Sequence, residues 1–211
     1  MQKLIISAFI VALVAGDCNL QCPSGYMSFK RTPTAANGRT SLWCVKVILP
    51  DEPVNITSAK ALCKQDGSVL TTFENEDERL QLADALIAGL KEKQRTVGAM
   101  FLDGHRTSQC ETQDMSVLKA APCNNPATAF ETDDKHTDTT FMLQSWAHTE
   151  PGGTFYEKEI ESCIQLGISQ FERRDKKIND ILCNYAKSPT KVTASDLWNF
   201  GAACGRLPDF Q

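Results

Sequence analysis

The stretch ESCIQLGISQFERRDKKINDILC, residues 161–183, sets the reading of the chain. Residues 162–169 (SCIQLGIS) and 177–183 (KINDILC) are rich in β-branched and apolar side chains and read as two strands. Between them Arg173, Arg174, Asp175, Lys176 and Lys177 form a charged run. Clustered cations suit sulfated glycans, but a solvated hairpin tip is the simpler reading. Two cysteines, Cys163 and Cys183, bracket the pair.

Upstream, residues 103–154 lose periodicity and fill with Gly, Pro, Asn, Asp, Ser and Thr. A loop this long is unusual inside a compact domain and usually carries function. It holds His105, His136 and His148 at wide spacing and without neighbouring thiols, so they read as loop residues and not as zinc ligands. Asp133, Asp134 and Asp138 read as a solvated turn. Before the loop, residues 97–102 form an apolar strand. Residues 75–90 form the clearest helix, with Leu82, Leu86 and Leu90 on one stripe beside Ala83 and Ile87. Asn75 suits its cap, and Glu78 stands where it can reach back to the Asn75 amide. The acidic cluster Glu74, Glu76, Asp77 and Glu78 then favours the positive helix end. A shorter helix spans 58–65, with Thr57 or Ser58 as cap, and strands fall at 41–49 and 68–72. A final short segment covers 202–206. Helices come early, a loop follows, and strands come late, which is an α+β order.

The 211 residues suit one sizeable domain that buries a real core. A formal net charge of −4 gives no general attraction to nucleic acid or to an anionic membrane. The amino terminus, MQKLIISAFIVALVAGD, reads as a secretory signal over residues 1–16, with cleavage before Asp17. The apolar run is short for a bilayer span, and no later stretch inserts into a membrane, so a secreted protein is expected. Nine cysteines bound for an oxidising route imply disulfides, and an odd count leaves one thiol over. Asn55-Ile56-Thr57 is a sequon for surface glycosylation at Asn55. No G-x-S-x-G, H-E-x-x-H or P-loop appears, and no enzyme is expected.

Taken in order, the fragments resemble the secreted nematode variety of the C-type lectin-like fold. The fragments are CPSGYMSF (22–29), Trp43-Cys44, AKALCKQDGSVL (59–70), VGAMFLDGHRTSQC (97–110), SWAHTEPGG (145–153), ESCIQL (161–166), KINDILCN (177–184) and ACGR (203–206). The resemblance covers residues 22–206, after an arm at 17–21 and before a tail at 207–211. It implies an α+β C-type lectin-like fold with two helices, small antiparallel sheets, a long loop region and disulfide staples. The implied pairs are Cys63–Cys204, Cys163–Cys183, Cys22–Cys44 and Cys110–Cys123. Cys18 is left as the odd thiol, with an interchain bridge to a second copy as its functional reading.

The same resemblance implies one calcium ion (Ca2+) in the long loop, binding sugar hydroxyls directly. The residues it assigns to both metal and carbohydrate are Glu150, Glu161, Asn179 and Asp180, with the Asp180 carbonyl as a further ligand. Pro151 matches a proline that follows a cis bond in the family. Gly152 departs from the pattern, since the family has Asn or Asp there and glycine supplies no ligand oxygen. Ile178 replaces a tryptophan, and Gly153 and Ser162 remove a second calcium site. Two functions follow from the resemblance. One is a secreted module binding glycans or glycoproteins, including microbial glycans, through a partly degenerate calcium site. The other is a calcium-independent protein-binding or structural module on the same fold.

Overall fold

The computed structural model describes residues 20–156, 158–186 and 196–210. The expected signal segment 1–16 and the odd cysteine, Cys18, lie outside the described residues. In chain order the elements are β1 (Leu20–Gln21), β2 (Met27–Lys30), β3 (Leu42–Ile48), α1 (Ile56–Gln65), β4 (Val69–Leu70), α2 (Glu76–Glu92) and β5 (Gly98–Arg106). The long loop region then contains α3 (Met115–Leu118), α4 (Pro126–Ala129), β6 (Phe130–Glu131) and a 3-10 turn at Met142–Gln144. β7 (Phe155–Tyr156), β8 (Glu159–Ile160), β9 (Cys163–Ile168), β10 (Lys177–Ile181), β11 (Asn199–Arg206) and β12 (Asp209–Phe210) complete the chain.

One main sheet runs in the order β10-β9-β5-β11-β3-β2, with β4 and β6 added at β11 and β5. Its pairings are antiparallel except β11 with β5, which is parallel. Two small two-stranded sheets, β1-β12 and β7-β8, flank it. Strand alternation sends neighbouring side chains to opposite faces. Met100, Leu102, Ile164, Leu166 and Phe200 therefore join the Leu82, Leu86 and Leu90 stripe of α2 in one core. Phe101, Cys163, Ala202 and Cys204 turn the other way and pack with Ala59 and Cys63 of α1. Because the sheet is covered on both faces, its central strands are buried almost throughout. That is why β5 and β11 run further than an apolar pattern indicates: Asp103 and Gly104 look like loop residues but continue β5.

The four implied disulfides are all present: Cys22–Cys44, Cys63–Cys204, Cys110–Cys123 and Cys163–Cys183. Among the described residues no helix is long and apolar enough to cross a membrane. Three local expectations are corrected. α1 is capped by Asn55, whose side-chain oxygen accepts the Ser58 N–H at 2.9 Å, and so starts two residues early. Asn75 does cap α2, but the Glu78 carboxylate does not return to it. Instead Glu78 is buried, pairs with Arg31 at 2.9 and 2.8 Å, and accepts the Glu74 N–H at 2.8 Å. Asp134 is not solvated: it is buried and accepts from Thr71, from Thr137 at 2.6 Å and from the His136 N–H at 2.7 Å.

Candidate functional site

The site is built where the end of β5, the start of β9 and the middle of β10 meet. A register irregularity between Leu102 and His105 carries β5 past the head of β9. Arg106, its last residue, is 4% exposed. The Arg106 backbone N–H donates to the Ser162 carbonyl at 2.8 Å. Its side-chain Nε donates to the Glu161 carbonyl at 2.8 Å, and Nη2 donates to Asp180 Oδ2 at 2.7 Å. The guanidinium also lies 4.6 Å from the centre of the Phe130 ring, a cation–π distance.

Asp180 sits on β10 with no exposure at all. Its Oδ1 accepts the Gly152 N–H at 2.8 Å, and its Oδ2 accepts the Gly153 N–H at 2.9 Å beside the Arg106 donor. The loop after the Glu150-Pro151 bond, which is cis, is thereby fastened to the sheet. Gly153 has φ +60°, and a Cβ there would come 3.1 Å from Arg106 Nη2, so the position suits glycine twice over. Glu161 closes the other side: its Oε2 accepts the Thr154 N–H at 2.9 Å, and its own N–H donates to the Thr154 carbonyl at 2.9 Å. From there β7 and β8 form a hairpin that leaves Phe155 and Tyr156 exposed.

Both glutamates are electrostatically unusual. Burial, and next the Asp180 charge, push the Glu150 carboxyl up to about 7. Burial and then Asp180 push Glu161 up to about 7 as well. Desolvation disfavours the charged form, and a like charge adds to it. The structure thus brings Glu150, Glu161 and Asp180 together.

It does not bring in Asn179. Neighbouring strand residues point to opposite faces, and Asn179 lines a different cavity of about 10 Å³ with Ala147, Gln165, Ser169 and Asp196. Its Nδ2 donates to the Asp180 carbonyl at 2.6 Å, and its Oδ1 finds no hydrogen-bond partner among the described residues.

This arrangement does not fit a calcium ion, which takes six to eight oxygens. Asp180 spends both carboxylate oxygens on N–H donors, its carbonyl receives the Asn179 amide, and Gly152 brings no side chain. Among the described residues no three of His, Cys, Asp and Glu are placed to hold a metal. Sequence reasoning missed Arg106, which stands four residues past the apolar run 97–102 and lies 74 positions from its partner. It also missed Arg31, whose Nη1 donates to the His136 carbonyl at 2.7 Å and to Thr137 Oγ1 at 3.0 Å. The sequon residue Asn55 is half-buried, with Oδ1 engaged in the α1 cap.

The model of one protein family, C-type lectin domain-containing protein 141/158, matches residues 28–207. C-type lectin domain-containing protein 158 of Caenorhabditis elegans is 58% identical over 210 residues, covering 100% of both chains. Among solved structures, a calcium-independent type II antifreeze protein aligns with a TM-score of 0.51 at 15% identity, over 92% of this chain and 100% of that one. The GlcNAc complex of SPL-1 aligns with a TM-score of 0.50 at 14% identity, over 90% of this chain and 97% of that one. At such identities the two structures speak for the fold alone.

Proposed function

Because this chain belongs to the C-type lectin domain-containing protein 141/158 family, we propose that it is a secreted recognition module and not a catalyst. Its ligands are glycans or glycoproteins, taken by the loop edge between Glu150 and Glu161. One observation carries the reading: the half-buried Glu150 and Glu161 bracket, along the chain, a hairpin that exposes Phe155 and Tyr156. Carboxyl oxygens accept hydroxyl hydrogen bonds, and an exposed ring offers an apolar face to the C–H side of a sugar. The fold itself is shared by a calcium-independent antifreeze protein and by a protein in complex with GlcNAc, so the choice rests on this chain's own residues.

Export through the signal at residues 1–16 and an N-glycan on Asn55 complete the proposal. An amide glycosylated at Nδ2 keeps the Oδ1 that caps α1, so the two roles of Asn55 coexist. A glycan array probed with the purified chain, with and without chelator, tests the reading. Binding that falls with Glu150→Gln or Glu161→Gln supports it. An array silent for the wild-type chain sinks it and favours the protein-binding alternative on the same fold.

A further inference from the structure

We propose that the Arg106 guanidinium, and not a divalent cation, is the charge that assembles the Glu150–Glu161 loop on Asp180, so that ligand capture by this loop needs no calcium. The placing of ligand capture on the loop rests on the recognition reading above. The role of Arg106 rests on geometry alone.

Three observations lead there. First, a fully buried Asp180 must have a charge partner, since an unpaired carboxylate inside a protein is costly. Arg106 is that partner at 2.7 Å, with a side chain only 3% exposed. Second, the guanidinium does more than neutralise. Its fork spans from Asp180 to the Glu161 carbonyl, so one rigid planar group ties β5, β10 and the link between β8 and β9. A calcium ion would make similar ties through oxygens, and here nitrogen donors make them. Third, the other oxygen of Asp180, Oδ1, is met by the Gly152 N–H, and the Gly153 N–H joins Arg106 on Oδ2. A metal entering here would have to expel three donors from one carboxylate and turn Asn179 across its strand. Asp180 is therefore matched by a charge the chain carries in its own sequence.

The test uses the full chain with its disulfides intact. Thermal midpoints are measured in chelator and in millimolar calcium, beside a calorimetric calcium titration, for wild type, Arg106→Gln and Arg106→Lys. A calcium site filled a hundredfold above its dissociation constant would raise the midpoint by roughly 5–10 °C. The wild-type midpoint is expected not to move, with no calcium heat. Arg106→Gln, which stays polar but is shorter and loses the charge and fork, should fall by roughly 5–15 °C. Arg106→Lys, which keeps the charge, should recover part of that loss.

A calcium-dependent rise in the wild-type midpoint that Asp180→Asn abolishes would overturn the proposal. So would an Arg106→Gln variant as stable as wild type, or a lysine variant no better than the glutamine one. Should Arg106→Gln fail to fold, the wild-type calcium titration decides alone. A silent glycan array beside an unmoved midpoint would remove the recognition reading and leave Arg106 in its role.

Discussion

The long loop region is pinned at two places by a buried arginine, and the two clamps differ in how their carboxylates are held. At the first, Arg31 holds Glu78 through two hydrogen bonds, lies 3.6 Å from Glu74, and reaches the loop at His136 and Thr137. Every carboxylate there is also met by backbone donors: Asp138 gives its N–H to Glu74, and Glu74 gives its N–H to Glu78. At the second, Arg106 holds Asp180, but Glu150 and Glu161 stand by with carboxyl groups pushed up to about 7. One clamp is closed on itself. The other holds Glu150 and Glu161 half-buried at the loop edge, where burial and the Asp180 charge oppose their ionisation.

The sharpest way to break this contrast is Arg31→Ala. Removing one partner of a buried pair strands the other, at a cost of about 3–5 kcal/mol. Glu78 is 3% exposed and, among the described residues, is paired with Arg31 alone, so a loss in that range is expected in urea denaturation. A loss under about 1 kcal/mol, the scale of a surface pair, would mean that the first clamp is not structural.

The second test is the subloop that Cys110–Cys123 closes over a separation of 13 residues. Its Leu118 lies 3.5 Å from the point a Cβ on Gly153 would occupy, so the subloop backs the Arg106 clamp. Changing both cysteines to serine should cost about 3 kcal/mol by chain entropy. If amide exchange then quickens in residues 107–125 but not in 150–156, Arg106 holds the recognition edge unaided. Quickening in both would show that the disulfide shares the task.

How much of this was legible in the sequence follows the same division. The helix stripe of α2 was readable because 3.6-residue periodicity needs only one buried face. The ends of β5 and β11 were not, because strands covered on both faces lose the alternation that marks a strand. The disulfides and the trio Glu150, Glu161 and Asp180 came through family resemblance. Asn179 was assigned to the same site, yet strand alternation alone argues that residues 179 and 180 face apart. Neither arginine announced itself, since an ion pair 47 or 74 positions apart leaves no local pattern. Long-range charge pairing is thus the part of the site that only the folded chain reveals.

A third prediction concerns pH. Asp103 is 1% exposed, and burial holds its carboxyl at about 6 against an ordinary value of 3.8. The folded chain binds the proton more tightly than the unfolded one, so stability is full below about pH 4 and is lost as pH rises toward 6. Asp103→Asn keeps an oxygen to accept the Asp134 N–H, now at 2.6 Å, and abolishes the charge. It should gain about 2–3 kcal/mol at pH 7 and nothing at pH 4. An equal effect at both values would assign the change to packing and not to ionisation.

The smallest effect is expected at Gly152, and it separates two explanations of the second clamp. Either calcium is kept out because the chain lacks the family's amide at this position, or because Arg106 already fills the role. Gly152 is exposed and outside the left-handed region, so a side chain there meets no backbone strain. Its Cβ would come 2.8 Å from Glu150 Oε2, the free end of a flexible side chain that can turn aside. Gly152→Asn should therefore change stability by no more than about 0.5 kcal/mol, the range of a surface substitution. Its midpoint should stay indifferent to calcium, because the Arg106 donor and two N–H groups still occupy Asp180. Should the asparagine variant gain a calcium-dependent midpoint, the missing amide is what sets this loop apart, and Arg106 would be a guest that a better-liganded metal can displace.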